Sequence, residues 1–255
     1  AHSKVPRHWG EAPQYFDPTD AKLPIVNISY EDICCYLRWK GTRLPTAWEW
    51  ERAARGTDGR LFPWGDDFRT DRCNVWDSWQ RVDSNVELRG RLLPVDAHDQ
   101  KYASNSVRDI VGNAAEWVDR RVFSPGQRRL FNVFRGGSFL DSCAYALTFR
   151  DSDEAGISFG AHEEDQVVGE TAFSWLGFRD VVDLDQDPCD AQTLIDIPER
   201  PLMDAQAAPV AAFAMSRYAV SNLEYLEFVE AAEWPLPTHW KRSKGLPFEL
   251  AERHL

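Results

Sequence analysis

Residues 43–56 read Arg43-Leu44-Pro45-Thr46-Ala47-Trp48-Glu49-Trp50-Glu51-Arg52-Ala53-Ala54-Arg55-Gly56 and carry a full set of helix signals. Thr46 and Glu49 form a Thr-x-x-Glu capping box, in which each side chain takes up a backbone N–H at the helix start. Gly56 supplies the stop, because a residue without Cβ turns freely out of a helix. Upstream, Ser29 and Asp32 repeat the device for a helix to about Lys40, ended by Gly41. Residues 23–28 before it read as a strand or extended run. Downstream, Pro63-Trp64-Gly65 lies in a stretch from Phe62 to Tyr102 in which Gly, Pro, Asp and Asn are scattered and no period persists. Trp64, Trp76 and Trp79 interrupt it, so it reads as ordered loop rather than disorder.

Two further motifs follow: Val111-Gly112-Asn113-Ala114-Ala115-Glu116-Trp117, and Phe134-Arg135-Gly136-Gly137-Ser138-Phe139 with Gly177-Phe178-Arg179 beyond it. Residues 133–139 and 144–150 read as core strands broken by Gly136-Gly137, whose glycines permit tight backbone near the core. Arg179 is expected to pair with an internal carboxylate. Residues 183–206 shift to Asp, Pro, Gln and Ala and read as a linker. Residues 213–220 then alternate as a strand, and Ser221 and Glu224 form a third capping box for a helix to about Ala232. Pro6-Arg7-His8-Trp9 matches Pro237-Thr238-His239-Trp240, 231 positions later. A repeat at that period predicts that the chain begins partway into one unit and ends partway into a like one. The alternatives are a permuted domain or an appended element.

The chain has 255 residues, a net charge of −12 and 43% hydrophobic residues. That is enough for one large domain, or one plus part of another. The acidic balance argues against nucleic acid and anionic membranes, which attract basic surfaces. No apolar run is long enough to cross a bilayer, so no membrane insertion is expected. The five cysteines (Cys34, Cys35, Cys73, Cys143 and Cys189) are odd in number and form no Cys-x-x-Cys pair. They suit reduced thiols in a cytoplasmic protein; a secreted protein whose leader has been removed stays open. Starting at Ala1 without methionine, the chain is expected to be a processed or excised piece.

Taken in order, these motifs resemble the formylglycine-generating, sulfatase-modifying factor family. The resemblance implies an α+β, C-type-lectin-like fold, loop-rich, with short helices and small antiparallel sheets. It covers residues 1–182 as the body, with 183–206 as linker and 207–255 as the opening strand and helix of a like unit. That unit either completes the fold or starts a second repeat. The family's oxidases use a cysteine pair after Arg-Gly-Gly-Ser. Aligned on Arg135-Gly136-Gly137-Ser138, those positions hold Asp141 and Ala146, with Cys143 at neither. No histidine cluster suited to iron occurs either, so neither copper nor iron is expected. The resemblance also implies structural calcium, held by the Asp109 and Glu116 side chains with the Gly112 and Ala114 carbonyls. Asp109 stands where Asn is commoner. A second calcium would use Asn74 and the Val75 carbonyl, with Glu87 and the Arg89 carbonyl. Carboxylates with main-chain oxygens suit a hard cation; the simpler alternative is that Asp109 and Glu116 cap turns.

The segment between Arg150 and Gly177 borders the ligand face of lectin-like folds. Phe159, His162, Phe173 and Trp175 there either form a recognition surface or anchor the loop. The function expected is a non-catalytic, lectin-like binding module of a larger protein, with a protein or peptide ligand or a neighbouring domain as partner. The alternative is an oxidoreductase of the formylglycine-generating or sulfoxide-synthase type, with a non-standard or incomplete metal site.

Overall fold

Three capping boxes set the helices of the computed structural model. It describes residues 20–57, 59–79, 91–98, 107–124, 129–144, 172–184, 194–198, 210–235 and 237. Helix α1 runs Tyr30–Lys40, capped by Ser29 and Asp32 and closed by Gly41 at φ +74°. Helix α2 runs Ala47–Arg55 behind the Thr46–Glu49 box. A single turn, α3, occupies Trp76–Trp79. Helix α4 runs Asn222–Ala231 behind the Ser221–Glu224 box. In each box the cap hydroxyl accepts the third residue's N–H and that residue's carboxylate returns the bond, which satisfies donors that a bare helix start leaves open.

Two three-stranded sheets complete the framework. The first orders β2 (Arg129–Arg135), β1 (Ala115–Ser124) and β3 (Leu176–Phe178). In it β1 pairs antiparallel with β2 and parallel with β3. The second orders β4 (Val181–Asp183), β6 (Phe213–Ser216) and β5 (Leu194–Ile197), all antiparallel. The architecture is therefore α+β, with few helices and small sheets.

Several strand expectations change. The run 183–206, read as a linker, contributes β5, because Leu194-Ile195-Asp196-Ile197 alternates and pairs along β6. The strand predicted over 133–139 ends at Arg135, where positive φ at Gly136 and Gly137 turns the chain. Residues 23–28 form only an isolated bridge, Pro24 to Ser221. Residues 145–150 and the Pro-x-His-Trp repeat, apart from Pro237, lie outside the described residues.

Strand β6 and helix α4 pack directly on the earlier part of the chain. Asn222 and Leu223 donate backbone N–H to the carbonyls of Leu23 and Ala21, and Ile25 donates to Val220. Tyr36 on α1 stacks on Tyr225 of α4 at 5.6 Å between centroids and meets Phe228 and Phe178 edge-on at 5.6 and 5.2 Å. Such aromatic pairs contribute about 0.5–1.5 kcal/mol each beyond area burial. This cluster, with Ile25, Ile33, Leu37 and Trp117, forms one core; Trp50, Val111, Val118, Phe213 and Met215 centre a second. Among the described residues no helix is long and apolar enough to cross a membrane.

Candidate functional site

The turn after β2 is set by Gly136. At φ +93°, a Cβ there would lie 2.7 Å from the Ile110 carbonyl and 3.1 Å from the Trp50 ring. Asp141 then closes the turn. Its Oδ2 accepts from the Ser138 amide and hydroxyl, both at 2.7 Å, and its own N–H donates to the Ser138 carbonyl at 3.1 Å. The Asp141 carbonyl accepts from the Trp76 amide at 2.9 Å, and Asp77 Oδ2 accepts from the Cys143 amide at 2.6 Å. Segments 73–78 and 138–143 are thereby locked together. Ala146, the other aligned cysteine position, lies outside the described residues.

Both thiols near this junction are raised. Burial, followed by the neighbouring Asp77 carboxylate, raises the Cys143 thiol. Cys73, in the core cluster against which Cys143 packs, is pushed up by burial to about 12. Protonated thiols are poor nucleophiles and poor ligands for soft metals. Burial also raises the Asp141 carboxyl, opposed by the Ser138 bonds. Beside this junction, Trp76 and Leu140 stay 49% and 40% exposed.

A second centre lies in the tract 109–117. Asp109, Gly112 and Asn113 take φ of +43°, +79° and +63°. Gly112 must be glycine, since a Cβ would lie 2.7 Å from the Asn74 carbonyl. The Asn113 amide ties the turn to its surroundings: Oδ1 accepts from Asn74 Nδ2 and from the Leu93 amide, both at 2.9 Å, and Nδ2 donates to the Leu93 carbonyl at 3.0 Å. Strand β1 then sets Glu116 between Arg135 on β2 and Gly177 on β3.

Glu116 is 1% exposed and meets Arg179, which is 0% exposed. Arg179 Nη2 donates to Oε1 at 2.6 Å, and Nε donates to Oε1 and Oε2 at 3.1 and 3.0 Å. Trp50 Nε1 donates to Oε2 at 2.9 Å. The rest of the guanidinium donates to the Ser216, Arg217 and Arg108 carbonyls at 2.9, 2.8 and 2.7 Å. All five Arg179 N–H groups are used, the full complement of that side chain. The internal carboxylate expected for Arg179 is therefore Glu116.

The fit to calcium is split between the implied ligands. Both Glu116 oxygens already serve Arg179 and Trp50, so Glu116 ligates a cation only by giving up one of those bonds. Asp109, 4% exposed, holds His98 Nδ1 at 2.6 Å through Oδ1, while its Oδ2 is buried without a hydrogen-bond partner. Asn74 Oδ1 is likewise buried without one. Each is an oxygen that a hard cation would satisfy. The Val75 carbonyl already accepts from the Ser78 amide at 3.0 Å, and Glu87 and Arg89 lie outside the described residues. Among the described residues no group of three or more His, Cys, Asp or Glu side chains is clustered.

The expected recognition surface is only partly described. Phe173 is buried at 9% exposure and packs on Trp175 at 5.0 Å, and Trp175 meets Phe134 edge-on at 5.1 Å. Trp175 itself is half-buried. Phe159 and His162 lie outside the described residues. Sequence reading missed His98 and Trp50 as partners of the acidic pair. No spacing links residues 11 and 66 positions from their partners; the carboxylate at 109, in place of an amide, is the one signal that a donor was needed.

The chain is 36% identical over 123 residues to mouse (Mus musculus) inactive C-alpha-formylglycine-generating enzyme 2, covering 48% of this chain and 39% of that protein. It is 30% identical over 178 residues to the formylglycine-generating enzyme of Streptomyces coelicolor, covering 58% and 55%. These matches therefore span about half or less of the relatives' own lengths. Among solved structures, CarF superposes with a TM-score of 0.45 at 18% identity, over 64% of this chain and 69% of CarF. Residues 4–184 match the sulfatase-modifying factor enzyme 1-like domain as a family, and the chain belongs to it.

Proposed function

We propose that this domain is a non-catalytic binding module of the family, with a protein or peptide as ligand. One observation carries the reading. Asp141, which the family resemblance sets at the first catalytic cysteine, uses its Oδ2 to close the Ser138 turn. Burial and the Asp77 carboxylate raise the nearby Cys143 thiol, which disfavours the nucleophilic thiolate. The similarity to a relative named as inactive supports the same reading. The exposed Trp76 and Leu140 beside the turn give an apolar rim of the kind that aromatic-rich interfaces use.

The oxidoreductase alternative draws on relatives named formylglycine-generating enzyme and on Cys143, two positions from Asp141. One assay separates the two. Purified protein, loaded with Cu(I) and given a sulfatase-type cysteine peptide in air, should form no aldehyde. Turnover that Cys143→Ser abolishes would establish the oxidase instead. In parallel, peptides selected from a library against the wild-type protein should lose binding to Trp76→Ala and Leu140→Ser. Binders indifferent to both changes would remove that rim as the interface.

A further inference from the structure

We propose that His98 is a positioning residue that presents Asp109 as a ligand to a hard divalent cation. A carboxylate buried at 4% exposure is costly unless its oxygens are satisfied. His98, itself 7% exposed, meets only one of them, donating from Nδ1 to Oδ1 at 2.6 Å. The ring thereby fixes the rotation of the carboxyl group. Oδ2 is left buried with no hydrogen-bond partner. Its backbone is also held in an unusual place: Asp109 is a non-glycine residue at φ +43° and sits with Gly112 and Asn113 in a turn of left-handed backbone. Such conformations persist where surrounding structure over-determines them, and they concentrate at functional sites. A strained residue, a buried oxygen without a partner and a buried donor on the other oxygen together describe half of a cation site. An oxygen of this hardness suits calcium or a similar ion.

The inference concerns His98 and is independent of the binding-module reading. A hydrogen-bond partner of a metal ligand fixes that ligand's orientation, and its removal weakens affinity by about 10–100-fold. The test uses the full chain, stripped with EDTA and titrated with calcium alone, with thermal unfolding and calorimetry as readouts. Calcium should raise the melting temperature of the wild type more than magnesium does. In His98→Phe the calcium midpoint should move about 10–100-fold higher. In an Asp109→Ala background, where both carboxylate oxygens are gone, adding His98→Phe should leave the residual calcium response unchanged. If His98→Phe does not fold, His98→Gln, which retains a donor, serves instead and should bind between wild type and no site. The proposal is overturned if the wild type ignores calcium. It is also overturned if His98 variants melt lower without metal yet keep the wild-type calcium midpoint, because His98 would then serve the fold alone.

Discussion

Replacing Glu116 by alanine tests the central ion pair. The change leaves Arg179, 0% exposed, without its counter-charge and leaves Trp50 Nε1 without an acceptor. Breaking a buried pair from one side costs about 3–5 kcal/mol, mostly the penalty of the charge left behind. Three carbonyls still receive Arg179 donors, which places the expectation at the lower end, about 3 kcal/mol. At about 2–4 °C per kcal/mol for a chain of this size, the melting temperature should fall by roughly 6–12 °C. Arg179→Met should cost a similar amount, since it strands Glu116 and takes a charged donor from three carbonyls. The double variant should be less destabilised than the sum, by about 0.5–3 kcal/mol. Thermal and urea melts of the four proteins in EDTA measure the cycle without any bound cation. Single variants within about 1 kcal/mol of wild type, or strict additivity, would refute the reasoning and show that the pair does not couple the sheets.

Two further outcomes follow from packing and charge. Deleting residues 207–255 removes β6 from between β4 and β5 and uncovers Tyr36 and Phe178; the remaining piece should be molten by near-ultraviolet circular dichroism, and a sharply melting fragment would show the body is complete without it. Arg43 donates to Glu49 and Asp183 at 2.7 and 2.5 Å; burial alone would raise Glu49, but the Arg43 and Thr46 bonds outweigh it, and the Arg43 bond lowers Asp183. Depressed carboxylates contribute stability above their unfolded values and lose it as pH falls through the folded ones. The wild type should therefore lose stability between about pH 5 and pH 3 more steeply than Arg43→Met. Parallel acid limbs would remove the Arg43 network as a source of acid sensitivity.

All three long helices were legible because their signals are local. A Ser or Thr cap, an acidic residue three positions on and an apolar stripe lie within one helix turn or two, and Ser29, Thr46 and Ser221 each satisfy their own helix start. Strands were harder. Those of β3 and β4 are three residues long, too short for alternation to register. Strand β5 hid in a polar stretch because only two of its four residues are buried. The motif Arg135-Gly136-Gly137 marked its turn correctly as a place of tight backbone, since positive φ and a close carbonyl exclude a side chain there.

The sequence by itself determined the family and the boundaries of the three capped helices. These depend on residue identity and short spacing, which a chain carries whether folded or not. Tertiary structure decided what the acidic residues face. Glu116 meets Arg179 and Trp50 across 63 and 66 positions, and Asp109 meets His98 across 11. Such pairings arise from strand register and loop crossing, so no local pattern encodes them. Structure also decided that Asp141 closes a turn, that Phe173 is buried against a half-buried Trp175, and that β6 pairs with both β4 and β5. Burial is a property of the assembled chain, and burial fixes which carboxylates are paired and which buried oxygen is left without a hydrogen-bond partner.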